Sequence, residues 1–184
     1  MKLLRKLLDI HQNADAEEVQ SRFNTLADKL FNEYEILINK EVYDFLEIEF
    51  YFTNEVHEDQ TVYARKSAAG KWFFHEYGVD INFESDELHY GGILIRSLFN
   101  NKRIINGPLK ISQLLFSDID IDGKTSALPV IRKKTNSNSV VPSIIQRFDI
   151  PDTRKYRYFN SSVPFEKWDP VHFAKCFKDY IDVN

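Results

Sequence analysis

The sequence has almost no cysteine and no long apolar run. Its one cysteine, Cys176, excludes an internal disulfide framework and is typical of a reducing compartment, so we expect a cytoplasmic protein. The longest apolar runs fall far short of the roughly 20 residues that a membrane-spanning helix needs, so no membrane partner is expected. Residues 1–8 mix charges into their apolar pattern and lack a small-residue cleavage site, which favours an amphipathic helix over a signal peptide.

Recognisable metal and phosphate motifs are also missing. The five histidines show no ligand spacing with one another or with Cys176, which argues against a zinc site. Residues 118–123 imitate the start of a calcium loop, but Pro129 stands where such a loop needs a bidentate glutamate. Gly91 and Gly92 form too short a pair for a phosphate loop. We therefore expect neither a metal nor an organic cofactor.

Ordinary composition and several local signals predict one domain over residues 1–184. Hydrophobic residues make up 43% of the chain and charged residues 28%, with no internal repeat and no linker. Asp15 is placed as a helix N-cap, and Asn39, Lys40 and Glu41 offer a turn within residues 35–53, which are rich in Ile, Val, Tyr and Phe. Pro108 and Pro170 are each placed to open a further helix.

Charge is unevenly distributed along the chain. Residues 101–157 contain 11 Lys and Arg against 5 Asp, a net +6 within an overall −4, so the remainder carries −10. If these basic side chains lay on one surface, they would form a positively charged face of the kind that binds nucleic acid. Charges scattered over loops give the same count, and both interpretations stay open at this point.

Residues 46–51 form the stretch around which a candidate site can be built. Read as a strand, they alternate between two faces, with Leu46, Ile48, Phe50 and Phe52 on one and Glu47, Glu49 and Tyr51 on the other. Neighbouring carboxylates raise each other's pKa, which suits one of them for general-base catalysis. A half-buried strand with a solvated polar face has the same pattern. Arg96 interrupts an apolar strand at 93–98, so we expect it to face a carboxylate or a site.

Four segments, in this order and spacing, resemble the alkyladenine (3-methylpurine) DNA glycosylase family. They are the carboxylate strand 46–51, the aromatic stretch 71–78, the strand 93–98, and the turn and helix 107–115. A leading helix from Leu26 and closing segments at 146–150, 156–159 and 162–165 extend the resemblance over about residues 26–166. Residues 1–25 then form an N-terminal helical extension, and residues 167–184 a C-terminal helix.

The resemblance implies a fold and a function. The fold is a single α+β domain with a curved, mostly antiparallel sheet flanked by helices. The function is that of a monofunctional DNA repair glycosylase, which flips a damaged purine such as 3-methyladenine out of the duplex and hydrolyses its N-glycosidic bond. The implied partner is damaged double-stranded DNA, bound by a monomer, and no lysine is evidently placed as a nucleophile for lyase chemistry.

The resemblance also assigns roles to residues of this chain. Glu49 matches the general base that activates water, and Arg96 matches the arginine that helps hold that water and the carboxylate. Tyr51 and Phe74 match the two aromatic walls that stack on the flipped base. Tyr77 matches the wedge that fills the gap in the duplex. Lys110 and Arg147 match two contacts to phosphates.

Three positions depart from the family pattern. Tyr63 stands where the family has a pocket histidine, Asp80 where it has a discriminating asparagine, and Phe74 where it has a tyrosine. Asp80 brings a second negative charge towards Glu49, and we expect it to accept a hydrogen bond from a guanine amino group. Two alternatives stay open: a relative that binds DNA or modified bases without turnover, and a protein-interaction domain with an acidic surface.

Overall fold

The computed structural model describes residues 2–117, 128–151 and 153–177, apart from the side chain of residue 176. The helices in these ranges are α1 (Lys2–Leu7), α2 (Ala16–Glu33), α3 (Pro108–Phe116) and α4 (Pro170–Cys176), with a 3₁₀ turn at Phe165–Lys167 before α4. None of these helices is both long and apolar enough to cross a lipid bilayer. The calcium-like residues 118–123 and the end of the predicted C-terminal helix lie outside the described residues.

The described strands form one sheet, in which every pairing is antiparallel. They are β1 (Tyr34–Ile38), β2 (Glu41–Thr53), β3 (Trp72–His75), β4 (Gly78–Asn82), β5 (Tyr90–Phe99), β6 (Ile104–Asn106), β7 (Val130–Lys133), β8 (Ser143–Ile145) and β9 (Arg157–Phe159). The main path is β3-β4-β5-β2-β1-β7; β6 pairs with β5, and β9 pairs with β2 and β8. The predicted α+β class and antiparallel sheet are confirmed.

The long strand β2 organises the sheet, because it pairs with β1, β5 and β9. Its register with β5 shifts twice between Phe45 and Ile48, which marks a β-bulge. A bulge bends its strand and increases the local twist, so the sheet curls into an open half-barrel instead of lying flat.

Two local signals in the sequence determine where elements begin and turn. Asn39 and Lys40 have φ values of 46° and 69°, and Ile38 pairs with Glu41, as in a two-residue hairpin of type I′. The Asp15 carboxylate caps α2, accepting hydrogen bonds at 3.0 and 2.9 Å from two backbone N–H groups of the first turn. The predicted helix start is confirmed. The predicted turn is confirmed at Asn39 and Lys40, whereas Glu41 already belongs to β2.

Two hydrophobic clusters fill the interior. The larger packs α1 and α2 against the sheet, and the smaller joins β2 and β9 to the chain around α4 through Leu46, Phe159, Val163, Trp168 and Phe177. The alternation predicts that Leu46 shares a face with Ile48 and Phe50. This prediction is wrong, because the bulge interrupts the alternation and Leu46 packs in the smaller cluster.

Residues 133–143, whose polar composition predicts a mobile loop, are held against the end of α2. The Lys134 N–H donates to the Glu33 carbonyl at 2.8 Å, and the Asn138 N–H donates to the Asn32 carbonyl at 2.9 Å. The strand β7, which ends at Lys133, pairs with β1 and has no counterpart among the predicted strands, nor does β6. The final predicted helix does begin after Asp169, which caps α4.

Ion pairing cancels the charge segregation along the chain. Eight of the 11 cations in residues 101–157 lie within 3.9 Å of carboxylates from residues 33–59; they are Lys102, Arg103, Arg132, Lys133, Lys134, Arg147, Arg154 and Arg157. These side chains therefore do not form a single positively charged face. Each one faces an acidic partner from the first half of the chain.

Candidate functional site

Arg96 joins two carboxylates of β2, Glu47 and Glu49. Its Nε donates to Glu47 Oε1 at 2.9 Å, and its Nη1 donates to Glu49 Oε2 at 3.0 Å. Both carboxylates are fully buried, so the interpretation of β2 as a half-buried strand with a solvated polar face is wrong. The prediction that Arg96 faces a carboxylate is confirmed, because a buried charge is stable only with a partner.

Glu47 is surrounded by donors. Arg157 Nε lies 2.7 Å from Oε1, while Ser97 Oγ and His172 Nε2 lie 2.8 and 2.9 Å from Oε2. Burial alone would raise the pKa of Glu47, but the guanidinium groups of Arg157 and Arg96, with His172, outweigh burial and lower that pKa below its usual range. The expectation that a neighbouring carboxylate raises the pKa is therefore wrong for Glu47, which is held as a structural anion.

Glu49 is held by groups that face a cleft. The Tyr51 hydroxyl donates to Oε2 at 2.8 Å, and the Phe148 N–H donates to Oε1 at 2.9 Å. Tyr51, Phe148 and Arg96 all line the cleft. Burial, reinforced by the adjacent Glu49 carboxylate, raises the pKa of Tyr51 well above its usual range, so the phenol stays protonated and acts as a donor.

The cleft has a volume of about 920 Å³. Its walls come from β2, β4 and β5, from residues 61–65, 75–77 and 148–150, and from α3 and α4. All four segments that carry the family resemblance contribute to it, through Tyr51, His75, Tyr77, Arg96 and residues 107–110. Segments that are far apart in the sequence therefore meet at one cleft.

Aromatic side chains form one wall of this cleft. The ring of Tyr63 lies 5.1 Å from that of His75 and 6.4 Å from that of Tyr77, between centroids. The Tyr63 hydroxyl donates to Glu76 Oε1 at 2.7 Å, and this hydrogen bond raises the pKa of Tyr63 to about 12. Tyr63 and Tyr77 thus lie at the same cleft as Tyr51. The wedge role that the resemblance gives Tyr77 stays a prediction.

Asp80 lies in the cleft with both carboxylate oxygens engaged. Its Oδ2 accepts a hydrogen bond from Arg65 Nη1 at 2.6 Å, and its Oδ1 lies 3.1 Å from His75 Nε2. Gly92 makes room for this arrangement, because a Cβ there would lie 2.9 Å from Arg65 Nη1. Arg65 therefore compensates the negative charge that Asp80 brings towards Glu49.

Phe74 and Arg147 lie outside the cleft. Phe74 projects from the face of β3 opposite to His75, and its ring packs on Phe116 with centroids 4.5 Å apart. Its assignment as a wall of this cleft is wrong, because consecutive strand residues point to opposite faces. Arg147 is buried and its Nη1 lies 2.6 Å from Asp59 Oδ2, so its assignment as a surface phosphate contact is also wrong.

Lys110, the other predicted phosphate contact, does lie at the cleft. Its side chain is 65% exposed and lies 3.7 Å from Asp169. The neighbouring Leu109 is exposed, and α4 contributes the exposed Val171 together with Lys175. Each of the two helices therefore presents an apolar side chain and a lysine at the cleft.

The sequence did not predict roles for Arg65, His75, Arg157 or His172. Arg157 has a partial signal, because it stands between Tyr156 and Tyr158 at the start of β9, and a charge that is buried there must be paired. The other three have no local signal. Arg65 and His75 meet Asp80 from 15 and 5 positions away, and His172 meets Glu47 from 125 positions away.

The chain is similar to an uncharacterized protein of Acanthamoeba polyphaga mimivirus. The two are 32% identical over 130 residues, which cover 53% of this chain and 60% of the viral protein. The chain thus spans less than two thirds of the length of that relative. No family model and no solved structure matches the chain.

Proposed function

We propose that this protein is a DNA repair glycosylase that hydrolyses the N-glycosidic bond of alkylated or deaminated purines in double-stranded DNA. The damaged nucleotide is flipped into the cleft, where a water activated by Glu49 attacks its sugar. In this proposal the curled sheet is a variant of the fold of the alkyladenine DNA glycosylase family, with a pocket altered at Tyr63 and Asp80.

The observation that carries the proposal is the carboxylate–guanidinium pair at the cleft. Glu49 accepts hydrogen bonds from Arg96 at 3.0 Å and from the Tyr51 hydroxyl at 2.8 Å, and both donors line the cleft. The Phe148 N–H donates to the other oxygen of Glu49 at 2.9 Å, so the carboxylate is held in one orientation. A carboxylate held beside a cleft in this way is suited to accept a proton from a water that enters it.

The cleft has the size and lining that a flipped purine needs. Its volume of about 920 Å³ lies within the usual range for small-molecule sites. Tyr51 and Tyr63 offer aromatic faces, on which electron-poor alkylated purines stack well, and Tyr77 at the same cleft is the wedge in this proposal. Lys110 and Lys175 are suited to contact the phosphates on either side of the flipped nucleotide.

The proposed reaction is a hydrolysis. The water oxygen bonds to C1′ and its proton passes to Glu49, while the bond from C1′ to the base breaks and leaves its electron pair on the base. The Glu49 carboxylate also stabilises the oxocarbenium-like transition state. Arg96 orients the carboxylate through a hydrogen bond that is charge-assisted and therefore strong.

Base release by wild type and by Glu49→Gln tests the proposal. Duplex oligonucleotides would carry 3-methyladenine, 7-methylguanine, ethenoadenine or hypoxanthine. We expect wild type to release at least one of these bases and Glu49→Gln to be slower by at least about 10²-fold. Glu41→Gln is the matched control, because Glu41 is a carboxylate of the same strand that pairs with Lys102. Equal rates for wild type and Glu49→Gln would refute the proposal.

The burial of Glu49 favours a second candidate function, which is binding of damaged DNA or modified bases without turnover. Glu49 is fully buried, and water must pass Tyr51, Arg96 or Phe148 to reach it from the cleft. Salt-sensitive DNA binding by wild type without any base release would identify this function. Neither binding nor release would favour a protein-interaction domain.

A further inference from the structure

Tyr51 is one aromatic wall of the cleft, and its hydroxyl donates to Glu49 at 2.8 Å. Under the function proposed above, on which this inference rests, a flipped purine stacks on the Tyr51 ring. The faces of an aromatic ring carry negative charge, so a charged group behind the ring changes which bases stack well in front of it.

Arg147 lies behind this ring. Its guanidinium carbon is 4.8 Å from the centroid of Tyr51, and its Nη1 donates to the Phe50 carbonyl at 3.3 Å, which fixes it to the backbone beside Tyr51. The Arg147 side chain is fully buried and does not line the cleft. The guanidinium therefore covers the side of the Tyr51 ring that is turned away from the cleft.

The positive charge behind Tyr51 is only partly compensated. Asp59 Oδ2 lies 2.6 Å from Arg147, but Asp59 Oδ1 lies 3.9 Å from Arg154 and also accepts a hydrogen bond of 2.6 Å from the Thr61 hydroxyl. One carboxylate is thus shared between two guanidinium groups. Burial raises the pKa of Tyr51, and the charge of Arg147 opposes that rise, so this charge acts on the phenol.

We propose that Arg147 is a specificity-determining residue, which makes the cleft favour neutral purines such as hypoxanthine and ethenoadenine over cationic purines such as 7-methylguanine. A base stacked on the cleft side of Tyr51 lies roughly 8–10 Å from the guanidinium carbon. Like charges at that distance repel each other in a partly desolvated site. A neutral base stacks on the ring without this repulsion.

The carboxylates near the cleft do not reverse this preference. Glu47 and Glu49 are matched by two guanidinium groups, those of Arg96 and Arg157, and Asp80 is paired with an arginine at 2.6 Å. The other carboxylates that line the cleft reach solvent, where water and salt screen their charge; they are Asp149 and Asp169.

Single-turnover release of hypoxanthine and of 7-methylguanine by wild type and Arg147→Met tests the inference. Methionine has a similar length and no charge, so the ratio of the hypoxanthine rate to the 7-methylguanine rate should fall by about tenfold. Arg147→Lys keeps the positive charge and should keep most of the wild-type ratio. Arg103→Met is the matched control, because Arg103 lies over the ring of Tyr43 at 5.8 Å, outside the cleft.

A double-mutant cycle shows whether Arg147 acts through the ring. In a Tyr51→Leu background, Arg147→Met should no longer change the ratio of the two rates, because the ring that carries the effect is gone. A purely structural role of Arg147 would change both rates in the same proportion and would do so in either background.

Thermal melting checks the fold of each variant. Arg147→Met leaves Asp59 buried beside one cation fewer, so the double variant Arg147→Met, Asp59→Asn, which removes both charges of the pair, replaces it if it is unfolded. Calorimetric titration of wild type needs no variant. It compares 9-methylguanine with 7,9-dimethylguaninium, in a buffer acidic enough to keep the second a cation, and the neutral base should bind more tightly by at least about threefold.

These outcomes separate the inference from the proposed function. Equal changes in the two rates, the same change in the Tyr51→Leu background, or tighter binding of the cationic base would overturn the inference and leave the glycosylase function intact. A wild type that releases 7-methylguanine alone would do the same. A wild type that releases no base would overturn the proposed function, and the titration would still decide whether the cleft prefers neutral bases.

Discussion

Glu47 and Glu49 are two residues apart on one strand, yet their surroundings differ. Neither carboxylate lines the cleft itself, and each contacts residues that do. Glu47 is held by the guanidinium groups of Arg157 and Arg96 and by His172, which keep its pKa low. Glu49 shares Arg96 and also accepts a hydrogen bond from the Tyr51 hydroxyl. In the proposed function, Glu47 therefore stabilises the fold and Glu49 takes part in the chemistry.

Replacing Glu47 should destabilise the protein strongly. Glu47→Gln keeps the volume of the side chain but leaves Arg157 and Arg96 without one of their buried counter-charges. Breaking a buried ion pair in this way costs about 3–5 kcal/mol of the free energy of unfolding, which urea denaturation measures. Glu41→Gln, at an exposed ion pair, is the control and should change this free energy much less. Similar losses in the two variants would contradict the account of Glu47.

Glu47 should also make stability depend on acid. Its pKa is lowered in the folded protein, so its contribution is fully present above the unfolded value of about 4.3 and is lost as the pH falls through the folded value. The free energy of unfolding of wild type should therefore decrease as the pH falls below about 4.3. Glu47→Gln should show a shallower decrease, and identical slopes would count against the lowered pKa.

The sequence predicts single residues well where the reason is local or energetic. Arg96 must be paired because it is a charge in an apolar strand, and it is paired. The assignment of Phe74 to the cleft is wrong because side chains of a strand alternate between two faces. The pattern of residues 71–78 does not reveal which of the two alternating sets faces the cleft. The assignment of Arg147 to a phosphate contact is wrong because Arg147 pairs with Asp59, 88 positions away. The residues next to Arg147 in the sequence do not indicate this partner.

At the scale of elements, the hairpin of β1 and β2 fixes the start of the carboxylate strand. Lys40 has a φ of 69°, a left-handed conformation that costs a residue with a side chain roughly 1–2 kcal/mol. Glycine adopts this conformation freely but loses about 0.5–1 kcal/mol in chain entropy. The turn therefore accommodates Lys40, but glycine at this position would make the folded protein more stable.

Lys40→Gly should stabilise the protein. The relief of strain exceeds the entropic cost, so the free energy of unfolding should rise by about 0.5–1 kcal/mol in urea denaturation. Asn39→Gly is the matched control and should give a smaller gain, since asparagine accepts a positive φ more readily than lysine. A loss of stability in Lys40→Gly would show that the lysine side chain contributes more than its backbone strain costs.

Helices and turns whose ends are marked by capping or turn residues could be predicted from the sequence. Asp15 and Asp169 cap helices, and the turn before β2 is set by two residues. The strands β6 and β7 could not be predicted, because each is short and exists only through pairing with β5 or β1. The bulge in β2 was also unpredictable, since it depends on the register with β5 and not on the residues of β2 alone.

For the whole molecule, the ion pairs between the basic second half and the acidic first half limit how many cations could bind the phosphates of DNA. Most cations of the basic second half are used by acidic partners from the first half, so contacts to phosphate depend on few side chains. Lys110 and Lys175 are the two lysines among the described residues that line the cleft. Binding of DNA should therefore have a modest dependence on salt, set largely by these two residues.

Salt dependence gives the corresponding prediction. If each lysine contacts one phosphate, Lys110→Gln and Lys175→Gln should each reduce the slope of log K against log salt by about 0.9. Lys102→Gln is the control, because Lys102 lies 2.7 Å from Glu41 and does not line the cleft, and it should leave the slope unchanged. Fluorescence anisotropy with a duplex carrying an abasic site measures the slopes. Equal slopes for wild type and both cleft variants would exclude this cleft as the DNA-binding surface.

The central claim is that Glu49 activates water to release a purine from DNA. Its most direct measurement is the yield of free base by mass spectrometry, together with the number of abasic sites, from duplexes that carry each of the four lesions. We predict one free base for each abasic site with wild type, and none above background with a folded Glu49→Gln that still binds the duplex. No free base from any lesion, or an equal yield from Glu49→Gln, would contradict the claim.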